Sequence, residues 1–186
     1  MKKSFLRISG LLGLVALLLL TTCQKYKLPP ETQEGKNTFG CKINGKNWVP
    51  TGKSGSFSGG RLSAVNGEFR RLYPSTTLDF DLYIQAYKDE ESVELFARSV
   101  TEPGTYPLKF LTETKPNAVR PLNYGVVRYD RQTEYVSTNT YTGSITVVRA
   151  DTPNKILSGT FEFTAVNRTN PSQTIRVTNG RFDTKQ

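Results

Sequence analysis

The clearest pattern in the chain is an alternation of apolar and polar positions with a period of two. Leu78, Phe80, Leu82, Ile84 and Ala86 are interleaved with Asp79, Asp81, Tyr83, Gln85 and Tyr87. Successive side chains of a strand leave opposite sides of the pleat, so this run predicts a strand with one buried and one wet face. Asp89-Glu90-Glu91 reads as a polar turn, after which Val93, Leu95 and Ala97 resume a buried face. Farther along, Leu157, Gly159, Phe161, Phe163 and Ala165 alternate with Ser158, Thr160, Glu162, Thr164 and Val166, while Ile145 and Val147 share one side of Thr140–Arg149. Shorter strands are predicted at Thr38–Ile43, Lys46–Val49, Ser56–Val65, Thr105–Phe110, Tyr124–Tyr129 and Glu134–Ser137. Beyond the first 22 residues no stretch of ten or more carries a helical apolar period.

Turn chemistry divides these runs. Asn44-Gly45 supplies the positive φ of a tight hairpin, Asn66-Gly67 is expected to close the run that precedes it, and Asn170-Pro171 marks a further turn. Ile175 and Val177 lead to Asn179-Gly180, and Phe182 closes the fold. Pro103-Gly104 breaks the pattern, and Thr112–Asn123, with Pro116 and Pro121, is expected to be the longest surface loop. Short strands at this spacing predict an all-β chain, a single antiparallel β-sandwich or barrel-like domain over residues 37–186, with both kinds of closure open. Trp48, the only tryptophan, is expected to anchor the first hairpin.

The first residues follow a different rule. Lys2, Lys3 and Arg7 lead an apolar run from Ile8 to Leu20, and Leu20-Thr21-Thr22-Cys23 closes it. A basic lead and an apolar run too short to span a bilayer are the layout of a secretory signal, residues 1–22, that is removed on export. Leu20–Cys23 resembles a bacterial lipobox, with Thr22 in a place usually held by Gly, Ala or Ser. The resemblance implies lipid on the Cys23 sulfur and cleavage before it. Each buried methylene contributes about 0.8 kcal/mol and two or more acyl chains hold stably, so the expected product sits on a membrane without crossing it. Residues 23–36 are polar, include Pro29-Pro30 and lack apolar period, and are expected to be a flexible tether reaching about 40 Å when extended. Gln24-Lys25-Tyr26-Lys27 lacks the acidic cluster that resembles a surface-export signal. The expected location is therefore the cell envelope, on the periplasmic face of the outer membrane rather than the cell surface.

Removing Met1–Thr22 leaves 164 of the 186 residues, a length suited to one domain. It also takes away Lys2, Lys3 and Arg7, lowering the formal charge from +9 to +6. The remaining cations are spread along the chain without a dense run, which argues against nucleic acid as a partner. Cys23 and Cys41 are the only cysteines. With Cys23 assigned to lipid, Cys41 is expected to be a buried small hydrophobe on the face shared by Phe39 and Ile43.

With these residues in view, the domain resembles a family of uncharacterised lipoproteins from Bacteroidota. The likeness rests on Phe39–Trp48, with its Ile-Asn-Gly-Lys-Asn-Trp, on Gly104–Leu108, on Gly159–Phe163, and on Val177–Asp183. It implies an all-β extracytoplasmic domain without an assigned activity, so no catalytic residue is carried over from it.

The chain has no histidine, which removes Ser-His-Asp and Cys-His catalysis and any histidine metal site. Asp89-Glu90-Glu91 lacks the glycine and further oxygens of a calcium loop. No catalytic residue, metal ligand or cofactor is therefore assigned. Two features remain. Asp79 and Asp81 would project from one strand face about 7 Å apart, a separation open to paired acid and base work on a glycan. Tyr83 and Tyr87 share that face, where flat rings beside carboxylates could stack on a sugar or peptide. The expectation is a lipid-anchored envelope protein, not an enzyme, with a membrane-held domain that binds a glycan or envelope-protein partner. The alternatives are a carboxylate-dependent glycan hydrolase and a structural or assembly component.

Overall fold

The computed structural model describes residues 26–54, 61–70, 80–109 and 123–186. The strands are β1 (Thr38–Ile43), β2 (Lys46–Trp48), β3 (Lys53–Ser54), β4 (Arg61–Leu62), β5 (Val65–Arg70), β6 (Asp81–Lys88), β7 (Glu91–Ala97), β8 (Gly104–Leu108), β9 (Tyr124–Arg128), β10 (Glu134–Val136), β11 (Gly143–Asp151), β12 (Ile156–Asn167) and β13 (Thr174–Lys185). No helix occurs among the described residues. Eleven antiparallel strands form one sheet in the order β2-β1-β13-β12-β10-β9-β7-β6-β5, with β11 paired to β12 and β8 paired to β11, while β3 and β4 form a separate ribbon. The sheet is strongly curled into a half-barrel, which realises the barrel-like form of the expected all-β class.

The alternating runs fill the hollow of this curl. Leu82, Ile84 and Ala86 on β6, Val93, Leu95 and Ala97 on β7, and Ile145 and Ala165 are all fully buried. Phe161 stands at the centre of the aromatic packing, with ring centroids 5.0 Å from Phe39, 6.4 Å from Phe163 and 6.5 Å from Phe182. Trp48 meets Phe39 edge-on at 6.1 Å and donates its indole N–H to Glu91 Oε2 at 2.6 Å, so it anchors the first hairpin as expected. Burying each such ring or branched side chain contributes about 1.5–3 kcal/mol, which makes this hollow the main source of stability.

The three Asn-Gly pairs do different jobs. Asn44 and Gly45 have φ of 49° and 80° and close the β1–β2 hairpin as a tight turn. Asn66-Gly67, expected to be a turn, lies inside β5, where Asn66 pairs with Gln85 and Gly67 with Ile84. Its glycine serves close approach instead: a Cβ there would stand 2.7 Å from Thr184 Cβ, because the curl brings β5 against β13. Asn179-Gly180 also lies inside a strand, at a register shift between β12 and β13, and a Cβ on Gly180 would meet the Phe161 carbonyl at 2.5 Å. An extra residue at such a bulge bends a strand, which is how a long strand follows a curled sheet.

The expected free tether is fastened to the domain from Tyr26 onward. Asn47 Nδ2 donates to the Tyr26 carbonyl at 2.8 Å, Arg181 donates to the Pro29 carbonyl at 3.2 Å, and Arg149 donates to the Gln33 carbonyl. Pro29 also covers Gly40, so residues 26–36 run as a strap across β2, β1 and β13. The strap ends on Asp183. This carboxylate, 1% exposed, accepts from Thr32 Oγ1 at 2.5 Å and from the backbone N–H groups of Glu34, Gly35 and Lys36 at 3.1, 2.7 and 3.2 Å. Burial works against its charge, but these four donors outweigh it and hold the Asp183 carboxyl below the ordinary aspartate range. A polar, proline-containing segment has no core of its own; here Asn47, Arg149 and Arg181 hold its carbonyls and the buried Asp183 carboxylate fastens its last turn.

Candidate functional site

The sheet face opposite the hollow carries a second cluster across β6, β7, β9 and β10. Register lays it out in rungs: Tyr83 opposite Phe96 and Phe96 opposite Tyr124; Gln85 opposite Glu94, Glu94 opposite Val126 and Val126 opposite Val136; Tyr87 opposite Ser92, Ser92 opposite Arg128 and Arg128 opposite Glu134. Phe96 and Tyr124 stack with centroids 5.3 Å apart, and together with Val126 and Val136 they form a small apolar cluster against which Tyr83 packs. Above this base lies a web of charge.

Glu94 is at its centre. Only 6% exposed, it accepts from Tyr124 Oη at 2.7 Å, from Arg128 Nη1 at 2.7 Å and from Gln85 Nε2 at 3.3 Å. Arg128 turns its Nε to Glu134 at 2.5 Å, and Arg168 reaches the other oxygen of Glu134 at 3.0 Å. Tyr87 donates to Gln85 Oε1, which completes the chain of contacts. Arg128 forks between two carboxylates and, although partial burial works against its charge, the bonds and fields of Glu94 and Glu134 raise its pKa further. Burial pushes the Tyr83 phenol up, reinforced by the Glu94 carboxylate, and the same two causes raise Tyr87. Both phenols therefore stay protonated through any physiological pH, as fixed rings with a hydroxyl each.

Tyr83 and Tyr87 do share this face, half-buried, as expected. Asp81 does not lie on an open wet face: it is 6% exposed, and its Oδ1 accepts from the Ser99 backbone N–H at 3.2 Å, tying the end of β7 to the start of β6. Asp79, its proposed acid and base partner, lies outside the described residues, as does Cys23, the expected lipidation site. Cys41 is fully buried between β2 and β13, and burial pushes its thiol up, which suits a packing role. Among the described residues no three acidic or cysteine side chains converge as a metal site. A shallow depression of about 310 Å³ on the outer face of β11, β12 and β13 is lined by Ser144, Glu162, Thr164 and Arg176 among others.

Glu94, Arg128, Glu134, Phe96 and Tyr124 were not singled out by the sequence reading. The available signal was Phe96 between two inward residues, Leu95 and Ala97, and the unbroken Tyr124-Gly125-Val126-Val127, which places apolar side chains on both faces of β9. Apolar groups on the outer side of a strand need cover, and here they cover one another.

No curated protein and no solved structure matches the chain. A family model, described as a domain of unknown function (DUF6252), matches residues 71–184, more than half of the sequence. The matched span contains Gly104–Leu108, Gly159–Phe163 and Val177–Asp183 of the expected likeness and leaves Phe39–Trp48 outside it. It also contains every strand of the Tyr83–Glu94–Arg128 cluster, and on that match the chain belongs to the DUF6252 family, a domain of unknown function.

Proposed function

We propose that the chain is a lipid-anchored cell-envelope protein, held at Cys23 on the periplasmic face of the outer membrane, whose β domain binds a glycan or envelope-protein partner without turning it over. One observation carries the binding part of this reading: Glu94, nearly buried, is saturated by Tyr124, Arg128 and Gln85. A carboxylate with its lone pairs engaged is a poor proton shuttle, yet it fixes the neighbouring side chains firmly. The product is a rigid platform on which the rings of Tyr83 and Tyr87 and the outer edges of Arg128 and Arg168 meet a ligand. Rigid aromatics beside forked cations lose little freedom on binding, which suits recognition of a sugar or peptide. The signal layout of Met1–Cys23 supports the anchored location.

The test compares the wild-type chain with a Tyr83→Phe, Tyr87→Ala variant on a glycan array and in crosslinking from envelope membranes, after unfolding curves establish that both fold. A partner retained by the wild type and lost by the variant is expected. Identical retention would remove the platform from the account. Glycan turnover by the wild type that disappears in Asp81→Asn would favour the hydrolase instead.

A further inference from the structure

The strap fixes which side of the domain a Cys23 anchor would hold against lipid. Tyr26 is pinned to Asn47 at the β2 edge of the sheet, and Cys23 precedes it by three residues. Three residues span at most about 10 Å, so lipid on Cys23 would bring the bilayer surface close to that edge rather than 40 Å away. The chemistry of the edge fits such a neighbour. Residues 26–30, the hairpin 38–48 and the start of β13, 174–178, include Lys27, Lys42, Lys46 and Arg176 and no carboxylate. Backbone pairing draws them together: Lys42 lies opposite Asn47 and Thr178, and Asn44 exchanges hydrogen bonds with Arg176 at 2.9 Å in both directions. Lys27, Lys46 and Arg176 are exposed, and Tyr26, 40% exposed, adds an aromatic side chain of the kind enriched at headgroup depth. Acidic groups border the edge: Glu91 accepts from the Trp48 indole N–H at 2.6 Å and is met by Lys88 Nζ at 3.6 Å, with the exposed Asp89 and Glu90 beside it in the β6–β7 turn. Glu31 faces Arg181 at 3.8 Å, and Glu162 lines the depression that Arg176 borders.

We propose that this edge, formed by the start of the strap, the β1–β2 hairpin and the first residues of β13, docks on an anionic lipid surface. Basic residues beside an anchor are drawn to anionic headgroups, and a second attachment converts a tethered domain into an oriented one. This inference rests on the anchored reading of Cys23.

The test uses the full lipidated protein in vesicles, with a fluorophore at Lys46→Cys or, in a second sample, at the exposed Glu102→Cys, and a quencher borne by the lipid headgroups. In vesicles containing anionic lipid, quenching several-fold stronger at position 46 than at 102 is expected. It should fall toward the value at 102 in zwitterionic vesicles and at about 0.5 M salt, where screening reaches only a few ångströms. Acyl mass on Cys23 with equal quenching at both positions would overturn the docking alone. Quenching at 46 that ignores lipid charge and salt would remove the cations from it. Cys23 without acyl mass, and a protein that does not float with vesicles, would overturn the docking together with the anchor.

Discussion

Removing the Asp183 carboxylate should unfasten the strap and cost the domain a measurable part of its stability. Four donors converge on this side chain, three of them backbone N–H groups of consecutive residues. A buried donor left without a partner costs about 1–3 kcal/mol, so the upper bound for Asp183→Ala is several kcal/mol. The strap can lift and return its amides to water, however, so the loss is expected nearer the cost of one such donor than of four, about 1–3 kcal/mol. Asp183→Asn keeps one acceptor oxygen and loses the charge; about half that loss is expected. The pH dependence has a definite sign. The folded pKa lies below the ordinary aspartate value, so the stability it contributes is fully present above about pH 4 and fades as the pH falls through the lowered value. Urea unfolding at a series of pH values therefore should show a gap between wild type and Asp183→Asn that is constant at neutral pH and closes in acid. Hydrogen exchange at the amides of Glu34, Gly35 and Lys36 should accelerate in the alanine variant, while those of β12 keep their order. A loss under about 0.5 kcal/mol with unchanged exchange at 34–36 would refute the latch.

Further outcomes follow from the same geometry. Gly67→Ala places a methyl where Thr184 already stands, and because both belong to strands neither yields freely; a loss of about 1–3 kcal/mol in urea unfolding is expected, and Gly67→Ala with Thr184→Ser should recover part of it. Glu94→Leu leaves Arg128 and Tyr124 without their shared acceptor and should destabilise by about 2–4 kcal/mol, more than Arg128→Leu, measured as shifts in thermal midpoint. Cys41, fully buried with its thiol pushed up, should resist a water-soluble thiol reagent at pH 8 in the folded domain and react once urea unfolds it.

How much of this was legible in the sequence depended on distance along the chain. The strands of β6, β7, β11 and β12 were readable because burial on one face of a sheet imposes a local period, and Leu82, Ile145 and Phe161 sit where that period placed them. Asn44-Gly45 was readable for the same reason: a hairpin turn is decided by four adjacent residues. Gly67 was not, since its meaning comes from Thr184, 117 residues away, and a glycine kept for close approach looks identical to one kept for a turn. The strap reads as free chain in the sequence because the side chains that fasten it lie elsewhere along the chain, Asp183 as far as 147 to 151 positions away. The site was half legible. Tyr83 and Tyr87 were found through alternation, while Asp81 was assigned to the wet face because the period gives the side a residue takes but not what comes to cover it there. Glu94 and Arg128 lie 34 residues apart on neighbouring strands, and their pairing is a property of strand order.

The anchored placement depends on a covalent group at one sulfur, and intact mass spectrometry of the protein purified from membranes reads it directly. The result predicted is a chain that begins at Cys23 and carries the added mass of a diacylglycerol and a further acyl chain. A product that retains Met1, or one that begins elsewhere with an unmodified Cys23, would contradict the anchored placement and the orientation built on it.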